Sequence, residues 1–196
     1  VKSKFIEMFG DPKFNKFNWK MNRLGDIFNI VSGGTPKTNI KEYWNQNDYS
    51  WIGSNLCQDN VLYKNDGKYI SVLVAMVGAT IGKTALLKFE TTTNQNIAGI
   101  KVHESHKYSP EFVYYYMQNC YYKFLEVGGD KFKMASLGFI KNIEIYDIPI
   151  ELQNQFTDFV KQVEKLKFEM EKSLKELKDN FDSLMQKAFK GELFND

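Results

Sequence analysis

The sequence predicts an α+β fold: a mixed, largely antiparallel body with one inserted helix, followed by a long C-terminal coiled-coil helix. Three observations predict it. Apolar residues in the body fall in short runs separated by Gly-, Pro- and Asn-containing turns, which is the pattern of strands. One segment, opened by Ser109-Pro110, carries its apolar residues at helical spacing instead. The last forty-odd residues hold a heptad seam with no turn signal before Gly191. The 196 residues allow one domain plus an appendage against roughly 150 residues per domain. With 43% hydrophobic residues, including 16 Phe, 11 Tyr and 3 Trp, the chain can bury a sizeable core, which excludes wholesale disorder.

In chain order, Lys2 to Phe9 reads as the tail of a helix closed by Gly10, Asp11 and Pro12. It begins abruptly at Val1 and is expected to be the end of a longer helix that an upstream segment supplies. Ile27–Val31 is β-prone and is broken by Ser32-Gly33-Gly34-Thr35-Pro36. Val72–Val77 is a continuous apolar run suited to a strand buried on both faces. Gly78 and Gly82 punctuate it, Thr84–Leu87 follows as a hairpin partner, and Ile97–Val102 is a further strand. Ser109 is placed to cap a helix with Pro110 in its first turn and Phe112, Val113, Tyr116 and Met117 along one side. A last strand, Ile143–Ile148, leads into the long helix.

That helix has its seam at Leu152, Phe156, Phe159, Val163, Leu166, Met170, Leu174, Leu177, Phe181, Leu184 and Ala188. The spacing alternates three and four, with one extra residue between Met170 and Leu174 that locally unwinds a supercoil. Pro149 suits the first turn, Glu151 complements the dipole there, and Lys187, Lys190 and Gly191 suit the end. At 1.5 Å per residue, about 40 residues make a rod of roughly 60 Å, longer than a compact 150-residue body is wide. Part of it is therefore expected to project, with a seam that needs a partner helix.

Several function classes are excluded. The longest uncharged stretch, Tyr69 to Gly82, is 14 residues, too short to span a bilayer as a helix. No basic-then-apolar signal segment opens the chain. Cys57 and Cys120 stand far apart with no CxxC spacing, against a disulfide scaffold, a zinc site or a dithiol centre, so a cytoplasmic, reduced protein is expected. The net charge of +2 conceals an asymmetry. Residues 151–196 hold 8 Lys against 10 acidic residues, so the body carries the positive excess and is the expected home of a polyanion site.

Val77-Gly78-Ala79-Thr80-Ile81-Gly82-Lys83-Thr84 resembles a phosphate-cradling loop but fails on spacing, because its first glycine comes one residue late. The segment after Thr84 is short and apolar, not a helix whose N-terminus could hold phosphate. His103 and His106 lack a third ligand nearby in sequence. No GxSxG elbow, GxGxxG loop or amino-methyltransferase tetrad occurs. What remains is a set of polar, Gly-flanked loops, Gly33–Tyr43, Ser54–Asn60, Asn94–Asn96 and Gly128–Lys133. Their Asn, Gln, Lys, Thr and Ser side chains can pair with base edges and phosphates, and equally with their own turns.

Taken in order, Leu24-Gly25-Asp26-Ile27, Ser32-Gly33-Gly34-Thr35-Pro36, Trp51-Ile52, the Val72–Lys83 run, Asn94-Gln95, and Ile148-Pro149 before a helix closing in Lys187-Ala188-Phe189-Lys190-Gly191-Glu192-Leu193 resemble one half of the DNA specificity subunit of a type I restriction-modification system. Such a subunit has two target recognition domains, each followed by a long helix, and the helices pair antiparallel. The resemblance implies a spacer-helix end over 1–10, a target recognition domain over 11–148, a coiled-coil spacer and dimerisation helix over 149–191, and a tail over 192–196. It implies no cofactor in this chain, with S-adenosylmethionine, ATP and Mg on partner methyltransferase and restriction subunits. Implied partners are double-stranded DNA, those subunits, and either a second copy through the C-terminal helix or another recognition half. Two departures stand out: there is a single recognition half, and Tyr69-Ile70 runs almost directly into Val72 where the family carries a longer loop.

On that reading Lys37, Lys41, Lys83, Lys131 and Lys133 contact phosphates, while Thr35, Thr38, Asn39, Ser54, Asn55, Gln58 and Gln95 face the bases. Arg23 is the only arginine, so bidentate guanine contacts fall to lysine or are scarce. A coiled-coil interaction scaffold, whose α+β head binds protein and not DNA, explains the long helix equally well.

Overall fold

The run Ile70–Ala75 becomes the central strand of a five-stranded sheet because every residue in it but Ser71 is apolar. The structure, a computed structural model, describes residues 1–43, 50–63, 70–105, 107–127 and 134–192. Its elements are α1 (Lys2–Phe9), β1 (Met21–Arg23), α2 (Leu24–Ile27), β2 (Ile30–Ser32), β3 (Ser50–Ile52), β4 (Asn60–Tyr63), β5 (Ile70–Ala75), β6 (Thr84–Lys88), β7 (Thr91–Thr93), β8 (Ile97–Ile100), α3 (Pro110–Asn119), α4 (Tyr121–Leu125), α5 (Leu137–Asn142), β9 (Glu144–Tyr146) and α6 (Ile150–Phe189). The main sheet has the order β2-β8-β5-β6-β4, antiparallel except for the parallel β4–β6 pair. Two ribbons flank it, β1–β9 antiparallel and β3–β7 parallel.

The central strands β5, β6 and β8 are buried on both faces. Leu73, Ala75, Ala85, Leu87 and Ile97 form one cluster with Ile52 of the β3–β7 ribbon and with Cys57. Alternation turns Val72, Val74 and Leu86 to the other face, where α3 packs against β5 and β6. Ser109 caps α3 as expected: its hydroxyl accepts the Phe112 N–H at 3.0 Å. The inserted helix is two segments, α3 and α4, divided at Cys120.

Ring contacts hold the helices of the body together. Phe5 and Phe9 of α1, Phe112 of α3 and Phe156 of α6 lie with ring centroids 4.9–5.7 Å apart, and all four are fully buried. This corrects one expectation. Phe156 lies on the heptad line, yet its ring fills the body's own core and is not available to a partner helix. Leu152 is only half-exposed; the open part of the seam comes later in α6. The chain divides into two units, Lys2–Thr157 and Asp158–Asp196 with Val1, and α6 ends in the close predicted for it. Gly191 takes φ +72°, its N–H donates to Ala188 and that of Glu192 to Lys187, a Schellman arrangement.

Other boundaries move for local reasons. The strand expected over Ile27–Val31 begins only at Ile30, because Leu24–Ile27 closes a helical turn, with Phe28 N–H donating to the Leu24 carbonyl. β5 stops at Ala75, where Met76 N–H turns to the Asn96 carbonyl. β8 stops at Ile100 and gives way to a 3-10 turn over Val102–Glu104. Strands β1, β3, β4 and β7 and helices α2 and α5 were not predicted. The shortened loop before Val72 and His106 lie outside the described residues.

Gln153, fully buried in the first turns of α6, ties that helix to the body. Its Oε1 accepts Ser109 N–H at 2.9 Å, and its Nε2 donates to the carbonyls of Ile148 at 2.8 Å and Lys107 at 3.2 Å. Gln153→Leu strips three backbone groups of their partners at once. It is expected to destabilise the fold by about 2–4 kcal/mol in urea denaturation, well beyond an ordinary surface change.

Candidate functional site

Strand direction brings separate loops to one end of the main sheet. β5 finishes at Ala75, opposite the start of β8 at Ile97. β6 starts at Thr84 beside that end, and β4, parallel to it, starts at Asn60 opposite Ala85. β2 finishes there too, with Ser32 opposite Ala98. The segments Gly33–Thr35, Ser54–Asp59, Gly78–Lys83 and Asn94–Asn96 therefore converge, although Thr35 and Gln95, for one, stand 60 positions apart in sequence.

Direct contacts join the first and fourth of these to each other and to β3. Thr35 Oγ1 donates to Gln95 Oε1 at 2.6 Å, and the Trp51 indole N–H donates to the Gly34 carbonyl at 3.4 Å. Asn94 N–H donates to the Ile52 carbonyl at 3.1 Å. Ser54 and Asn55 lie in a 3-10 turn, and Gln58 folds back to donate to the Asn55 carbonyl at 3.0 Å. Asn55, Gln58 and Gln95 are exposed and Ser54 is half-buried. Lys37, Thr38, Asn39 and Lys41 continue from the Gly34–Thr35 turn on an exposed segment, with Ile40 N–H bonded to the Lys37 carbonyl. Lys131 and Lys133 lie outside the described residues.

Lys83 stands on the β5–β6 connection, whose backbone is fixed by Gly82 N–H to Ala75 and Lys83 N–H to Thr80. Gly82 has φ +77°, and a Cβ there would meet the Phe124 ring carbon at 2.7 Å, so only glycine fits. This loop is a turn, not a phosphate cradle. The Lys83 ammonium lies 2.8 Å from Asp59 Oδ2 and 5.3 Å from the Tyr121 ring centre. Its hydrogen bond to the Asp59 carboxylate holds its pKa above the ordinary lysine value. Asp59, at φ +54°, also accepts Thr84 N–H and Thr84 Oγ1–H at 3.1 Å through Oδ1. The sequence places Trp51 and Asn94 in family-like motifs and Asp59 in a candidate loop but assigns none of the three a role in the site. The Asp59-Asn60 pair carried a turn signal that could have pointed to the left-handed conformation.

Neither cysteine is activated for covalent chemistry. Burial, with the Asp59 charge adding to it, pushes the Cys57 thiol up to about 12, and burial pushes Cys120 up to about 12, so both stay protonated. Among the described residues no group of three His, Cys, Asp or Glu could hold a metal ion, and no helix is long and apolar enough to cross a membrane.

A rigid sheet that presents polar loops at one end, joined in sequence to a 40-residue helix, defines a recognition module. The chain belongs to the type I restriction modification DNA specificity domain family, whose model matches residues 17–178. Members of this class confer specificity and are not catalytic. The chain is 28% identical over 211 residues to the type I restriction enzyme MjaIX specificity subunit of Methanocaldococcus jannaschii, covering 92% of this chain and 48% of that subunit. Its fold is similar to three solved chains. One, from a type I R-M system solved for its complex assembly and conformational transition, gives a TM-score of 0.67 at 18% identity, covering 98% of this chain and 51% of the other. The HsdS subunit from Thermoanaerobacter tengcongensis gives 0.62 at 17%, covering 98% and 50%, and the type I S subunit from M. genitalium gives 0.61 at 16%, covering 100% and 54%. The chain thus spans about half the length of the relatives it matches.

Gly33 sets how closely the first loop approaches the fourth. A Cβ there would lie 1.7 Å from the Thr93 carbonyl oxygen, while one on Gly34 would meet nothing within 4 Å. Gly33→Ala is expected to destabilise by about 2–3 kcal/mol, since backbone must move, and Gly34→Ala by under about 0.5 kcal/mol. Thermal or urea unfolding of the two variants checks the contrast.

Proposed function

We propose that the chain reads one half-site of a bipartite duplex DNA target and docks methyltransferase subunits, itself catalysing nothing. The observation that carries this reading is the convergence of four Asn-, Gln-, Thr- and Lys-bearing loops on one end of a sheet whose central strands are buried on both faces. Lys37, Lys41, Lys83, Lys131 and Lys133 fall on phosphates in this reading. Thr35, Thr38, Asn39, Ser54, Asn55, Gln58 and Gln95 face base edges. S-adenosylmethionine, ATP and Mg belong to partner methyltransferase and restriction subunits, and the complex works in the cytoplasm.

A salt titration tests the reading. Binding to a duplex should weaken steeply as salt rises, and Lys37→Ala and Lys41→Ala should each lower the log–log slope by about one. A chain that binds no duplex at low salt would instead be the protein-interaction scaffold.

The long helix supplies the pairing surface. Leu166, Met170, Leu174, Leu177, Phe181 and Leu184 are 54–72% exposed, an apolar line that water disfavours. We assign it to a second copy, or to another recognition half, pairing antiparallel. A two-fold assembly would present the same loops twice and read an interrupted inverted repeat. Leu166→Lys with Leu177→Lys places charge in the seam and should yield monomers by ultracentrifugation. An unmodified chain that is already monomeric at micromolar concentration overturns the pairing.

A further inference from the structure

The Lys83–Asp59 pair sits on the same end of the sheet as the recognition loops, yet as a pair it carries no net charge. A lysine meant only for phosphate would need no such partner. Asp59 is held for the purpose by the fold: its left-handed backbone and the two Thr84 donors on Oδ1 leave Oδ2 turned to the Lys83 ammonium at 2.8 Å. Lys83 is fixed at its backbone by the β5–β6 turn, so its side chain is the part that can change partner. Both side chains remain about a third exposed, at 39% and 33%, and an exposed pair of this kind is weakly held.

Resting on the DNA reading above, we infer that Asp59 withholds Lys83 from phosphate on duplexes of arbitrary sequence, so that this pair sets specificity by suppressing indiscriminate binding. Phosphate oxygen and carboxylate oxygen compete for the same ammonium. If Lys83 leaves, the Asp59 carboxylate is left facing a polyanion. Only a donor on the duplex relieves that, and in the major groove the donors are the amino groups of cytosine and adenine. Where the base edge offers acceptors alone, the exchange is opposed and Lys83 stays with Asp59. The exchange moves no covalent bond, and only hydrogen-bond partners change.

The experiment is a salt titration of full-length chain on a random-sequence 30-base-pair duplex, read by fluorescence anisotropy. Asp59→Asn is the informative variant. Its Oδ1 can still accept both Thr84 donors, so the strand start is kept, while the amide replaces Oδ2 and releases the lysine. Release of one cation should steepen the salt slope by about 0.9 and tighten random-duplex binding roughly eightfold at 0.1 M salt. Adding Lys83→Met to Asp59→Asn should return the slope to its unmodified value. Glu90→Gln makes the same change in net charge at the opposite end of β6 and should leave the slope unchanged. Equal steepening by Glu90→Gln, or a steepened slope that survives in the double variant, would show a general charge effect and overturn the inference. If the unmodified chain shows a steep slope and Asp59→Asn does not alter it, the inference falls while the DNA reading stands. If the unmodified chain binds no duplex at 50 mM salt, both fall.

Discussion

The constraint on which the rest of the structure depends is the burial of β5 on every side. Its two edges are paired by β6 and β8, one face is covered by α3 and the other by the β3–β7 ribbon with Cys57. A strand enclosed in this way offers no open face to a ligand and no free edge for strand addition. Only the strand ends remain. Because β5 and its neighbours alternate in direction, and β4 runs parallel to β6, five strand termini and their loops fall on one end. The convergence of those loops follows from the topology before any individual side chain is considered.

Signals that act over a few residues were legible in the sequence. The Ser109 cap, the apolar run over Val72–Val77, its hairpin with Thr84–Leu87 and the Gly191 close of α6 each rest on local chemistry, and the structure contains them with boundaries shifted by a residue or two. Pairings over long sequence distance were not legible. β3 and β7 are three residues each and parallel, and Thr91–Thr93 has no apolar alternation to announce a strand. β4 pairs in parallel with β6 across a connection of some twenty residues, which no turn motif encodes. Phe156 was misread for a different reason. The heptad line runs through it without a break, and only the buried rings of Phe5, Phe9 and Phe112 reveal that this position belongs to the body.

The candidate site was half legible. Residue type drew attention to Thr35, Lys83 and Gln95, and the fold does bring them to one end. Their partners were hidden. That Thr35 bonds Gln95, and that Lys83 is already satisfied by Asp59, depends on strand order and on one aspartate in a left-handed conformation. Counting lysines therefore overstates the free positive charge of the surface, since a lysine beside a carboxylate at 2.8 Å does not offer a full charge to a distant phosphate.

On the proposed DNA reading, stability and specificity are carried by different atoms at this end of the sheet. Gly33 and Gly82 cannot accept a side chain without moving Thr93 or Phe124, and Asp59 holds the start of β6 through Thr84. These positions set where the loops lie. Asn55, Gln58, Gln95, Thr38 and Asn39 are exposed, and the contacts that Gln58 and Gln95 make run to neighbouring loop atoms and not into the core. Exchanging such side chains costs little folding free energy, typically within about 0.5 kcal/mol, while altering which donors and acceptors face a bound base. A surface so divided could, on that reading, change the sequence it reads without rebuilding the sheet that positions it. The Thr35–Gln95 hydrogen bond limits that freedom, for replacing either residue alone leaves the other to find a new partner. On the proposed reading the two positions are therefore coupled, and a change of target through them would require both.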